Sequence, residues 1–314
     1  MGARANLLNE EKANYVNVEC GGHLARLILS VFENSEIGER LKRAATLVLN
    51  DKSQLASVVI SSFLLNRLER VPQVPILSDM LNFDVWKLLK SGGSHEAGEF
   101  IRFSAGSIQI KSSIVSTFLL RNAISPEVLI WNIERIVRRL ASIRRSSALH
   151  HVFTELQRFP LLEGIITSPK KREIIIGYFQ SIKDLPFCER NALFWLHYAM
   201  ARLSFGDFPN ATIYFEQAKK LAQGNVGETR DVNNHFARLL LDSRIKGDEY
   251  DDYFGAFEKA HSILVEQMNR NSNRHYPYRQ AKKYVEYISY RKESRCRLFG
   301  QRPAEIKWIP AGLC

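Results

Sequence analysis

Apolar residues recur at helical spacing along nearly the whole chain. Leu24, Leu27, Ile28 and Val31 mark one stripe, and Leu41, Ala44, Ala45 and Val48 mark a second after the turn-and-cap pair Asn34-Ser35. Ser53 is placed to cap a third helix over 53–69, with Leu55, Val58, Val59, Ser62 and Phe63 on one face. Pro72 and Pro75 end it, because proline lacks the donor that a helix interior needs. A further helix is expected from about Ser78, carrying Met80, Leu81 and Val85. The period then changes. Gly92-Gly93-Ser94 leads into Phe100-Ile101-Arg102-Phe103, Gly106 offers a turn, and Ile108-Gln109-Ile110 alternates, which predicts one β-hairpin. A helix over 112–122 closes this stretch. From Pro126 onward only helices are expected. Pro126 suits a first-turn position behind the cap Ser125, and Leu129, Ile133, Ile136, Val137 and Leu140 line one side of a helix reaching Ile143.

Helix, helix, hairpin and helix in that order make residues 51–125 winged-helix-like. The second of these helices carries almost no Arg or Lys before Lys87, so it is not expected to read DNA. The helix after Pro126 shows Arg135, Arg138 and Arg139 opposite its apolar side, with Arg144 and Arg145 beyond. That stripe reads as a solvated face, with phosphate binding as the alternative.

A repeat appears in the second half. Between Phe194 and Ala222, Trp195, Ala199, Gly206, Ala211, Phe215 and Ala218 fall in a two-helix pattern. Small residues at Ala199, Ala211 and Ala218 let paired helices approach, Gly206-Asp207 turns the chain, and Trp195 and Phe215 fill space between pairs. This segment resembles a tetratricopeptide repeat. It departs from the pattern at Arg202, where a tyrosine is usual, and at Gln223, where a proline is common. A weaker echo runs from Phe236 to Leu264, with Tyr253, Phe257 and Ala260 in matching places and Gly247-Asp248 near the turn. Residues 170–183 are expected to add a helix against the first pair. Stacked pairs of this kind present a concave surface to other proteins.

A broader resemblance covers the chain. Cys20-Gly21-Gly22-His23-Leu24-Ala25-Arg26, continuing through Leu27 to Leu29 and Asn34-Ser35 to Arg40, looks like the segment after the ATPase core of bacterial STAND NTPases. Ile108-Gln109-Ile110-Lys111-Ser112-Ser113-Ile114-Val115 resembles the end of that family's winged-helix unit, and His275-Tyr276-Pro277-Tyr278-Arg279-Gln280-Ala281 its last helices. The resemblance implies the C-terminal, recognition part of a signalling or antiphage defence protein, with the ATPase and effector elsewhere. In keeping with that, the sequence has no GxxxxGK[ST] phosphate loop and no apolar strand ending in paired acids, so ATP binding by this chain is not expected.

Composition adds little until charge is considered. The net charge is +11, and the stretch from Arg270 to Cys314 holds eleven Lys/Arg against three Asp/Glu, so eight of the eleven surplus charges lie there. Within it Tyr276, Tyr278, Tyr284, Tyr287 and Tyr290 alternate with Arg279, Lys282, Lys283, Arg291 and Lys292, a mixture that suits single-stranded nucleic acid. Tyr284, Tyr287 and Arg291 also share one helix face, so docking of the tyrosines onto the preceding repeat is the favoured reading. Cys20, Cys188, Cys296 and Cys314 stand far apart, which argues against zinc or a disulfide framework and fits a reducing cytoplasm. No apolar run approaches the roughly 20 residues of a membrane span, no secretory leader is expected, and Asn6 replaces the Ser or Thr of a myristoylation signal.

Catalytic patterns were sought among the eight histidines. His150-His151 are adjacent and point apart on a helix, HExxH is absent, and Gly92-Gly93-Ser94-His95-Glu96 lacks the last glycine of a nucleophile elbow. Cys20 beside His23 is read as structural, and Asp251-Asp252 with Asp248 and Glu249 as a solubilising loop.

The sequence thus predicts a mainly α protein. A helical segment (1–50) and a small winged-helix-like unit with one hairpin (51–125) precede a tetratricopeptide-like array with a basic last helix (126–314). The expected function is non-catalytic protein recognition in the cytoplasm, without metal or cofactor and away from membranes. Its partner would be an ATPase or effector subunit or a sensed protein. The alternative is nucleic-acid binding through Lys282, Lys283, Arg291 and Lys292.

Overall fold

A computed structural model describes residues 35–93, 98, 100–246, 253–270 and 275–289. The chain is mainly helical, with fifteen α-helices and one two-stranded antiparallel sheet among these residues. It divides into two compact units, Met1–Glu189 and Arg190–Cys314. The expected helix at 24–31, the Cys20–Arg26 string, the acidic loop at 248–252, and Arg291 and Lys292 lie outside the described residues.

In the first unit, α1 (Glu36–Leu49) starts on Ser35, whose hydroxyl accepts from the Gly38 amide at 3.1 Å. Glu36 and Glu39 in its first turn complement the positive end of the helix dipole. Asn50 follows it. Its side chain donates to the Ala123 carbonyl (2.7 Å) and accepts from the Ser125 amide (2.5 Å), so one residue closes a corner between distant loops.

Helix α2 (Gln54–Arg67) is capped by Ser53, as its sequence predicts, but its burial differs from the one-sided stripe expected. Every residue from Leu55 to Leu65 is buried. Helices α1, α3 (Val74–Leu81), α5 (Ser113–Asn122) and α6 (Pro126–Ala141) all pack against it, which makes it the central rod of the unit. Three serines tolerate this position in different ways. Ser57 and Ser62 return their hydroxyls to the carbonyls of Ser53 and Val58, at 2.9 and 2.8 Å, while Ser61 Oγ has no partner.

Helix α3 begins at Val74, earlier than expected, because Pro75 sits in its first turn, where a missing N–H costs nothing. Asn82 ends it in the left-handed conformation (φ 60°), and Asp84 caps the short α4 (Val85–Leu88), which runs into a π-turn over Leu89–Gly93. Strands β1 (Ile101–Ser104) and β2 (Ser107–Ile110) form the predicted hairpin, with Ile101 opposite Ile110. Ala105 (φ 48°) and Gly106 (φ 78°) make its two-residue turn, the left-handed pair that matches strand twist. The other edge of β2 is also occupied. Gln73 bridges to Ser107, Ile108 N donates to Pro72 O (2.8 Å) and Val74 N to Gly106 O (3.0 Å), so the α2–α3 connection acts as a third, one-residue strand.

The rest of this unit is helical. Helix α6 buries Ile133, Ile136, Val137 and Leu140, and packs on α7 (Ser147–Glu155) and α9 (Lys171–Ile182), which contributes Ile175, Phe179 and Ile182. Short α8 (Phe159–Ile165) and α10 (Pro186–Glu189) complete it. Among the described residues, no single helix is long and apolar enough to cross a membrane. One pair, α5 with α6, has the apolar length together but is bent by 110°.

The second unit holds α11 (Ala192–Ser204), α12 (Phe208–Leu221), α13 (Val226–Lys246), α14 (Tyr253–Arg270) and α15 (His275–Ala281), with a further helical stretch at 283–289. Helices α11 and α12 pack as one pair and α13 and α14 as another.

Candidate functional site

The α11–α12 pair is built from its caps inward. Asn191 accepts the amides of Leu193 (2.9 Å) and Phe194 (3.3 Å) at the start of α11. At its end, Gly206 takes φ 76°, its N–H reaches Leu203 O, and Asp207 N–H reaches Arg202 O. This is a Schellman closure, which needs a residue free to turn left-handed at that one position. Asp207 then caps α12 by accepting from Asn210 N at 3.4 Å.

Arg202 ties the turn together. Its guanidinium donates to Asp207 Oδ2 (2.7 Å) and to Tyr198 Oη (2.9 Å), with all three side chains largely shielded from water. Burial works against both charges, and hydrogen bonds outweigh it, those with Tyr198 and Asp207 for Arg202 and those from Arg202 and Asn210 for Asp207. The carboxyl of Asp207 is accordingly held below its usual range and the guanidinium of Arg202 above its own. Tyr198 is pushed up to about 12, chiefly by burial. Arg202 is therefore a cation that staples the end of α11 to the start of α12. Sequence reading marked Arg202 only as a departure. The clue available was Asp207 five residues on, across the turn.

The six residues expected to form a repeat core lie on α11, on α12 or in the turn between them. Ala199, Ala211 and Ala218 are fully buried, Phe215 is buried, Gly206 is in the turn, and Trp195 retains 9% of its surface. Tyr198 and Tyr214 stack at 4.2 Å between centroids, and Trp195 lies 5.4 Å from Tyr214. Phe215 points onward and meets Phe236 of α13 edge-on at 6.1 Å.

The second pair has a buried cluster of its own. Ala237, Leu241, Ala260 and Leu264 form the buried seam between α13 and α14. Phe257, three residues before Ala260 as Phe215 is before Ala218, packs on the next helical stretch, 5.0 Å from Tyr284 and 5.4 Å from Tyr287. The lengths differ, since α13 has 21 residues and α11 has 13.

The basic residues near the end of the described chain divide sharply. Lys282 is exposed, 5.9 Å from the Tyr278 ring centroid. Lys283 turns inward to Glu286 (2.6 Å) and to Asp242 (3.5 Å), a carboxylate on α13 that is 1% exposed and also holds Arg238 at 3.1 Å. Burial pulls the Lys283 ammonium down, but the two carboxylates overcome this and its affinity for the proton ends above the ordinary value. Tyr287 is 3% exposed, while Tyr284 is half-buried with its hydroxyl 3.3 Å from His261 Nδ1. The outer side of this stretch is not purely polar, because Tyr278, Val285 and Ile288 are exposed there.

The arginine stripe of α6 is largely spent on the fold. Arg138 pairs with Glu134 at 2.8 Å and donates to Ser181 O, Arg139 donates to Asp79 O, and Arg145 donates to Leu140 O and covers the Phe153 ring. Arg135 lies 4.7 Å from the Trp131 centroid, with Nε and Nη2 buried and without a hydrogen-bond acceptor. Arg138 and Arg144 are the two of the five that stay exposed, and Arg138 is nonetheless tied to Glu134 and Ser181.

Among the described residues, no group of three or more His, Cys, Asp or Glu is arranged to hold a metal. Cys188 is buried, donates to Gln157 Oε1 at 3.3 Å, and is pushed up to about 12 by burial, which keeps the thiol protonated and unreactive. A groove of about 690 Å³ opens in the first unit between the start of α3, Trp86 of α4 and the hairpin turn, lined by Val71, Pro75 and Gly106 among others. Lys90 lies 4.9 Å over the Trp86 ring.

His235 on α13 offers a titratable readout of the second unit. Its Nδ1 is buried without a partner, and burial, helped by Arg238, lowers its pKa to about 4. In the unfolded chain the ring takes its proton near pH 6.5, which the folded unit refuses until about pH 4. The neutral ring's stability is therefore complete above about pH 6.5 and is lost progressively as pH falls to 4, by about 3 kcal/mol at 1.36 kcal/mol per unit. Urea unfolding of parent and His235→Gln at neutral pH and near pH 4 should show a shallower pH dependence for the variant. Equal dependence would place the ring in water.

Comparison of the chain with protein-family models, with curated proteins and with solved structures found no match in any of the three.

Proposed function

We propose that this protein is a non-catalytic recognition scaffold whose second unit is a short tetratricopeptide-like array. The observation that carries the reading is the repeated seam. In each pair small residues are buried, and an aromatic three positions before one of them reaches the following helix (Phe215 to Phe236, then Phe257 to Tyr284 and Tyr287). A unit that passes its packing from one pair to the next is what makes solenoids extend, and their open faces bind proteins.

The first unit supports a winged-helix-like reading through its order of elements, α2, the Gln73 bridge, α3, α4, β1 and β2, with the bridge pairing on β2. Kinship with the C-terminal part of STAND NTPases rests on the same order and on the sequence strings quoted above. It makes an ATPase or effector subunit, or a sensed protein, the natural partner.

Nucleic-acid binding through the last helices is the competing reading, and Lys283 weakens it because that ammonium is already engaged by two carboxylates. Anisotropy titration with short single-stranded DNA and RNA at near-physiological salt separates the two. The scaffold reading expects no submicromolar binding and little change for Lys282→Glu. Submicromolar affinity that falls steeply with salt and is lost in Lys282→Glu would favour the competitor.

A further inference from the structure

We draw no further inference here: the strongest candidate, the groove between the start of α3, Trp86 of α4 and the hairpin turn, is an unpartnered and largely apolar surface, and nothing in the structure shows what covers it.

Discussion

Trp195→Ala is expected to lower the unfolding free energy of the second unit by about 3–5 kcal/mol, the range for emptying a large aromatic site in a packed interior. The indole is 9% exposed and touches rings on both helices of its pair, Phe194 at 5.3 Å on α11 and Tyr214 at 5.4 Å on α12. Its removal leaves a cavity beside the rings of Phe194, Tyr198 and Tyr214. Trp86→Ala is the control. That ring is 39% exposed and meets Phe103 edge-on at 5.0 Å, so less apolar surface is lost with it, and its removal should cost clearly less than that of Trp195. Urea unfolding of the full chain, followed by circular dichroism, compares them. If Trp195→Ala proved as mild as Trp86→Ala, the proposed seam between α11 and α12 would be wrong.

Two adjacent lysines should behave oppositely. Lys283→Glu sets a third carboxylate against Glu286 and the buried Asp242, leaving Arg238 as that aspartate's remaining cation. Removing a partner from a fully buried pair costs about 3–5 kcal/mol, and the partial exposure of Lys283 (24% of its side chain) reduces the expectation to about 2–3 kcal/mol. Lys282→Glu changes an exposed charge and should stay within about 0.5 kcal/mol. Hydrogen exchange resolves the effect by segment, since 275–289 should lose protection in Lys283→Glu and keep it in Lys282→Glu. Equal protection in both would mean that the Asp242 pair does not hold the last helices. The contrast also bears on any binding experiment, because a charge reversal at Lys283 disturbs the fold before it tests a ligand.

Local signals were readable from the residues. Ser35, Ser53 and Ser125 cap the helices they were expected to cap, Gly106 turns the hairpin, and Ala199, Ala211, Phe215 and Ala218 are buried. All of these depend on neighbours within a few positions. What escaped the sequence depends on distant ones. The complete burial of α2 requires four other helices around it, and no periodicity within 54–67 declares that Ser57, Ser61 and Ser62 will be enclosed. The start of α3 was misplaced because Pro75 was read as a stop when it serves equally as a first-turn residue. Lys283 looked like its neighbour Lys282 until α13 placed Asp242 beneath it. The arginines of α6 were likewise indistinguishable in sequence. Their fates were decided by Ser181, Asp79, Leu140 and Trp131.

The central claim is that the chain acts by binding protein. Affinity capture of the intact protein from its own cells, with and without nuclease and at low and about 1 M salt, tests it most directly, because at that salt the Debye length falls to about 3 Å and phosphate-driven association fails. A stoichiometric protein partner that survives nuclease and high salt is the expected result. Recovery of nucleic acid alone, released by salt, would contradict it.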